Sequence, residues 1–77
     1  MSAYEEIIDF IASGPSTGAV AEYQATTEQK ARIAELLRRE KDGALNADEK
    51  SELDHFSELE HLMRLAKARA RERLACA

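Results

Sequence analysis

The chain has little of what builds sheets, cross-links or membrane spans. Its 77 residues contain no Trp, one Pro, three Gly and one Cys. Scarce Pro and Gly with frequent Ala and Leu are typical of helical chains, so a β-sheet is not expected. A single cysteine cannot form an internal disulfide, which fits a reducing cytoplasm. The chain has neither an apolar run of about 18 residues nor a basic signal-peptide region at its start, so we expect no membrane span and no secretion signal.

The negative net charge is distributed unevenly along the chain. The formal charge is −4, from 11 basic and 15 acidic side chains. Residues 64–77 carry five basic side chains and one acidic one and account for +4, so residues 1–63 account for −8. An acidic chain is a poor general binder of nucleic acid, whereas basic side chains near a helix C-terminus complement the helix dipole.

Capping residues and apolar periodicity predict four helices in a single domain, residues 1–77. A chain this short leaves roughly 40% of its unfolded surface exposed after folding, so oligomerisation would stabilise it. The expected helices are residues 3–12, 17–23, 27–41 and 47–75. The expected N-caps are Ser2, Ser16, Thr26 and Asn46, and the expected helix stops are Gly14 and Gly43. The expected inward side chains are Tyr4, Ile7, Ile8 and Ile11 in the first helix and Ala31, Ile33, Ala34, Leu36 and Leu37 in the third.

The last helix is predicted to extend beyond the elements that pack on it. At 1.5 Å per residue the third helix is about 22 Å long and the fourth about 45 Å, so their αα-hairpin covers only half of the fourth. Apolar side chains from Leu62 onward then need the first two helices or a partner, and burial of each large one is worth roughly 1.5–3 kcal/mol. We therefore predict an all-α protein of three to four helices that forms a homodimer through its last helix. The predicted interface comprises Phe56, Leu59, Leu62, Met63, Leu65, Ala66, Ala70 and Leu74.

The basic side chains of the last helix are candidates for contact with an anion or a partner. They are spread around the helix, and no aromatic residue lies among them to stack on a base. A protein contact is therefore favoured over DNA, and a DNA-binding autoregulator is the alternative. The candidates are Arg64, Lys67, Arg69, Arg71 and Arg73.

No motif indicates catalysis, and no cofactor is expected. The pairs Glu52 with His55 and Glu58 with His61 have the spacing used in metal-carboxylate bundles, but the two histidines point about 120° apart. Solvent-exposed helix positions are the favoured interpretation, and a helical metal-carboxylate protein is a second alternative. Residues 42–49 lack the ligand pattern of a calcium loop.

Three segments resemble a known group of proteins: residues 11–16 (IASGPS), 35–45 (ELLRREKDGAL) and 59–70 (LEHLMRLAKARA). They are similar to small bacterial proteins, frequent in cyanobacteria, that are associated with genes for nuclease-like toxins, including the HNH type. The resemblance covers most of the chain and implies a non-enzymatic, antitoxin-like protein that binds a nuclease-type partner. It transfers no function-defining residue. Mimicry of nucleic acid would then fall to the acidic residues Glu35, Glu40, Asp48, Glu49, Glu52 and Asp54. A structural assembly factor with a partner other than a nuclease is a third alternative.

Overall fold

A computed structural model describes residues 4–76, which form four α-helices and no strand. The helices are α1 (Glu5–Ala12), α2 (Thr17–Glu22), α3 (Thr27–Lys41) and α4 (Ala47–Cys76). The all-α prediction is confirmed. The predicted helix boundaries that fall within the described residues agree with the observed ones to within one residue, and the predicted start of the first helix, residue 3, lies outside them. Ser2, the expected first N-cap, lies outside the described residues. None of the helices within residues 4–76 combines the length and apolar character needed to cross a membrane.

Side-chain caps fix the starts of the last three helices. The backbone N–H of Gln29 donates to the Thr26 hydroxyl at 3.1 Å, and the N–H of Thr26 donates to the Gln29 side chain at 3.0 Å. Asn46 and Glu49 form the same reciprocal pair at 2.8 and 3.2 Å. The Ser16 hydroxyl caps α2. These bonds satisfy N–H groups that a helix start otherwise leaves without partners, as the sequence predicts.

A glycine turn ends α3 and returns the chain toward α4. Gly43 adopts a φ of 70°, in the left-handed region. Its N–H donates to the carbonyl of Glu40 at 3.0 Å, and the N–H of Ala44 donates to the carbonyl of Arg39 at 2.8 Å. This pair of bonds is a Schellman motif. Gly14, with a φ of 67°, ends α1 in the same backbone conformation.

The core lies along one side of α4. Ile7, Phe56 and Met63 form its buried cluster, and Ala70 continues the buried face of α4. Positions 56, 63 and 70 are seven residues apart, so they stay on nearly the same face of the helix. Half-buried side chains from every helix pack against the cluster: Tyr4, Phe10, Val20, Tyr23, Ile33 and Leu59.

The helix α3 runs antiparallel to α4. Arg32 near the start of α3 binds Glu52, and Arg39 near its end binds Glu49, which lies earlier in α4. The short turn at Gly43 allows only this direction. The predicted αα-hairpin is therefore present.

The helices α1 and α2 cover the middle and later parts of α4. At the start of α1, the centroids of the Tyr4 and His55 rings are 5.1 Å apart. At its end, Ile11 shares a cleft with Leu62, which lies later in α4. The helix α1 therefore runs in the same direction as α4. Val20 of α2 lines a cleft with the later turns of α4, at residues 66–73. The chain itself thus covers part of α4 beyond Leu62.

The inward faces of α1 and α3 are rotated from the predicted ones. Ile8 and Ile11 are exposed, and Phe10 packs inward instead, with its ring 4.5 Å from that of Tyr23. In α3, Leu36 is fully buried, whereas Leu37 is exposed. Ala31 and Ala34, also predicted to lie inward, are exposed. The ion pairs that Arg32 and Arg39 form with α4 hold that side of α3 inward. The side chains of Ala31, Ala34 and Leu37 therefore point outward.

We expect Leu36→Ala to destabilise the fold by about 2–5 kcal/mol, because it leaves a cavity in the core. Leu37→Ala, the same substitution one residue along α3, is the matched control. Leu37 is 50% exposed against 0% for Leu36, so its loss should cost less than about 1 kcal/mol. Urea unfolding followed by circular dichroism measures both values. Equal losses in the two variants would contradict the observed rotation of α3.

Candidate interaction surfaces

The chain's own helices bury three residues of the predicted interface. Phe56, Met63 and Ala70 belong to the core, and Leu59 and Ala66 are half-buried. This corrects the assignment of Phe56, Met63 and Ala70 to a surface open to a partner. The sequence left open whether the first two helices or a partner covers α4 beyond Leu62, and in the structure α1 and α2 lie on it.

The remaining three residues of the predicted interface are exposed. Leu62, Leu65 and Leu74 have 51%, 58% and 50% of their surfaces accessible. Leu62 and Leu65 are one turn apart, on the side of α4 away from the buried face. Leu74 lies in the last turns of the helix, where residues 71–76 are all exposed. The association surface available to a partner is therefore narrower than predicted.

An open cleft lies between α3 and α4, with a volume of about 440 Å³. We call it the α3–α4 cleft. Its apolar lining is Ala25, Ile33, Ala34, Leu37, Phe56 and Met63, and its charged lining is Lys30, Glu60, Arg64 and Lys67. Glu60 forms an ion pair with Arg64. We call these four charged residues the rim of the cleft; three are basic and one is acidic, so the rim has a net charge of +2.

A second cleft, of about 280 Å³, lies between the end of α1 and α4. All its lining side chains are apolar: Phe10, Ile11, Pro15, Val20, Leu62, Met63 and Ala66. A neighbouring cleft shares Pro15, Val20 and Ala66 and adds Arg69 and Arg73. Sequence reasoning missed both clefts, because it offered the first two helices as possible cover for α4 but did not assign their packing direction.

The five basic candidates do not form one surface. Lys67 and Arg64 line the α3–α4 cleft. Arg69 is on another side of the helix and pairs with Glu72 at 3.2 Å. Arg71 and Arg73 are exposed near the end of α4. At about 100° per residue, Arg64, Lys67 and Arg71 fall on one side of α4 and Arg69 and Arg73 on another, so the five cations are divided between two sides of the helix.

An ion-pair network joins α3 to the first turns of α4. Arg32 donates from Nε and Nη2 to the two carboxylate oxygens of Glu52, at 3.0 Å each. Arg39 donates to Glu35 at 3.0 Å and also pairs with Glu49. The two-pronged Arg32 contact is the geometry in which arginine binds a carboxylate most specifically.

This network shifts two pKa values. The hydrogen bond from Arg32 to Glu52 raises the pKa of Arg32 against a smaller opposing effect of burial. Partial burial by itself would raise the pKa of Glu35, but the hydrogen bonds and charges of Arg39 and Arg38 together lower it below its ordinary value of 4.5. The six acidic residues considered for nucleic-acid mimicry therefore include three, at positions 35, 49 and 52, that already pair with arginines.

The two Glu-x-x-His pairs have different surroundings. The ring of His55 packs on Tyr4, and its Nδ1 lies 3.4 Å from the Ser51 hydroxyl. Glu52 is bound by Arg32. Within residues 4–76, His, Cys, Asp and Glu side chains do not come together in any group of three or more suited to a metal ion.

Comparison of the chain with protein-family models, curated proteins and solved structures finds no match. The resemblance to nuclease-associated antitoxins stays a prediction.

We expect the stability contributed by Glu35 to depend on pH. Because its pKa is lowered in the fold, this contribution is present above the ordinary value of 4.5 and is lost as the pH falls through the lower folded value. Glu35→Gln should therefore be less stable than the parent chain near about pH 6 and should approach it near about pH 3. Urea midpoints across this range test the expectation. Glu40→Gln, which removes an exposed carboxylate from the same helix, controls for net charge; a Glu35→Gln deficit that persists unchanged in acid would count against the network.

Proposed function

We propose that this chain is a non-enzymatic protein-interaction module and that its α3–α4 cleft binds an acidic, amphipathic segment of another protein. The observation that supports the proposal is the combination of an apolar floor with a predominantly basic rim in one open cleft. Such a cleft matches the general mode in which an amphipathic helix places its apolar side in a groove.

The apolar floor of the cleft would supply the affinity. Leu37 is half exposed, and it stands in the cleft beside Ala34 and Ile33. A ligand that covers these side chains removes apolar surface from water, at about 25 cal/mol per Å² before the costs of association. Phe56 and Met63 belong both to the core and to the lining of the cleft, so a ligand there would rest against side chains that the fold already holds in place.

The rim of the cleft would select the charge of the ligand. Lys30 and Lys67 flank the opening, and no ion pair of either is formed within residues 4–76. Arg64 is paired with Glu60, but both side chains are exposed, so this pair is worth little and can rearrange around a ligand. Acidic residues on the ligand would meet complementary charge at the rim and speed association.

The resemblance to nuclease-associated antitoxins supplies the most specific candidate partner, a nuclease-type toxin. In that case the chain would hold the toxin through an acidic segment of the toxin itself. Three of the acidic residues considered for mimicry already form ion pairs with arginines of this chain: Glu35, Glu49 and Glu52. Because these carboxylates already have partners, cleft binding is favoured over mimicry of nucleic acid. The dispersed basic residues of α4 likewise favour a protein partner over DNA.

A photo-cross-linking amino acid at position 37 tests the cleft in the source cell. We expect it to capture a protein through an acidic segment, which mass spectrometry of the linked peptides identifies. The same group at position 31 is the matched control, because Ala31 is exposed on α3 outside the lining of the cleft. Equal capture at the two positions, or attachment through a segment without acidic residues, would refute cleft binding.

A synthetic peptide of the captured segment then tests the rim with purified components. Lys30→Glu combined with Lys67→Glu should weaken its binding by tenfold or more at low salt, because attraction at two rim positions becomes repulsion. Leu37→Glu should weaken binding at all salt concentrations. Should the captured protein be a nuclease, an equimolar amount of the chain is expected to block its digestion of DNA or RNA, and undiminished digestion would rule out the antitoxin form of the proposal.

A further inference from the structure

The outward side of α4 carries a charge pattern that the proposed function does not use. Six exposed residues follow one another along it at steps of four, four, three, four and four. They occupy an arc of about 100°, on the side away from the buried face. We call them the outer stripe: Asp54, Glu58, Leu62, Leu65, Arg69 and Arg73.

The outer stripe is symmetric about its centre, with opposite charges at equal distances. Its midpoint falls between Met63 and Arg64. Three pairs of residues are equidistant from that point. From the centre outward they are Leu62 with Leu65, Glu58 with Arg69, and Asp54 with Arg73. A stripe with this order is complementary to a copy of itself that runs in the opposite direction.

We propose that two copies of this chain associate through the outer stripe as an antiparallel, two-fold dimer with a defined register. Leu62 packs against Leu65 of the second copy, Glu58 pairs with Arg69, and Asp54 pairs with Arg73. Two-fold symmetry makes each contact occur twice, so one stripe of six residues supplies two apolar contacts and four ion pairs.

Charge complementarity favours the antiparallel arrangement over a parallel one. A parallel pair would place Glu58 against Glu58 and Arg69 against Arg69, and it would also align the two helix dipoles. The antiparallel register leaves no like charges opposed within the stripe. Residues eleven apart, such as Asp54 and Leu65, stay on one side of a nearly straight helix. The stripe from position 54 to position 73 can therefore remain in contact over its whole length, about 30 Å.

The charged ends of the stripe are available for these contacts. Asp54, Glu58 and Arg73 take part in no ion pair within residues 4–76. Arg69 pairs with Glu72, but both side chains are more than 70% exposed, and such a pair is easily exchanged for another.

The apolar centre of the stripe continues onto α1. Leu62 lines the cleft that also contains Ile11, and Ile8 lies one turn before Ile11. Ile8 and Ile11 are each 44% exposed. A second copy laid across Leu62 and Leu65 would reach this neighbouring apolar surface. The α3–α4 cleft lies outside the stripe, so the dimer is independent of the proposed cleft ligand and compatible with it.

A charge exchange tests the register. In sedimentation equilibrium of the full chain, Glu58→Arg and Arg69→Glu should each weaken the dimer by roughly tenfold or more, because two attractive contacts become repulsive. The double variant exchanges the charges and should restore the parent affinity. Circular dichroism confirms that each variant is folded. A monomeric parent chain at all concentrations, or a double variant no stronger than the singles, would overturn the proposal.

A cross-link tests the same register by connectivity. Ser51 and Cys76 are also equidistant from the midpoint of the stripe. Oxidation of the Ser51→Cys variant by dissolved oxygen, which takes up the two electrons and two protons of the thiols, should therefore form a disulfide between position 51 of one copy and position 76 of the other. Ser57→Cys, placed about 120° from position 51 around α4, is the control. Peptide mapping that finds 51–51 and 76–76 links, or equal linking of the control, would show that the antiparallel register is wrong. The cleft cross-linking at position 37 is unaffected by this result, so the two proposals fail separately.

Discussion

The structure depends on the continuity of α4. A helix of 30 residues in a chain of 77 cannot be surrounded by what remains, because the other three helices together contain 29 residues, from lengths of 8, 6 and 15. They pack along one side of it, where positions 56, 63 and 70 recur at intervals of seven. The opposite side stays in water and keeps its own arrangement of charge and apolar side chains. Both proposed interaction surfaces follow from this one-sided packing.

Ion pairs determine how α3 meets α4 as much as apolar burial does. The carboxylates of Glu52 and Glu49 are only 11% and 12% exposed as side chains, and each is held by an arginine of α3. A carboxylate this shielded from water is costly without a partner, so the two arginines are confined to the side of α3 that faces α4. Leu36 lies on that side and is buried, whereas Leu37 lies outside it and lines an open cleft. The interaction surface on α3 is therefore a consequence of the polar contacts beside it.

The sequence was sufficient to predict the local features of the fold but not the orientation of its helices. N-caps such as Thr26 and Asn46 and the stop at Gly43 act within a few residues, so their outcome is readable from the chain alone. The rotation of α1 could not be predicted, because Ile7, Ile8, Phe10 and Ile11 offer two overlapping apolar faces. Contacts distant in sequence, such as that of Phe10 with Tyr23, distinguish them. The predicted interface contained three core residues for a similar reason: the position of α2 over the later turns of α4 depends on contacts distant in sequence. Leu62 and Leu65 remain more than half exposed, as the expectation of a surface on α4 requires, and Leu62 lies at the edge of the contact with α1.

Gln29 has two roles that are usually separate. Its side chain accepts the N–H of Thr26 and so completes the first turn of α3, yet it is also 2% exposed and lies within the protein interior. The hydroxyl of Thr26 in turn donates to Glu6 of α1 at 2.8 Å. The two bonds between Thr26 and Gln29 are local, whereas the bond to Glu6 requires α1 to lie beside the start of α3. The cap at the start of α3 thus links a local turn to a helix 20 residues earlier in the chain, so a substitution at Thr26 removes a helix cap and a tertiary contact together.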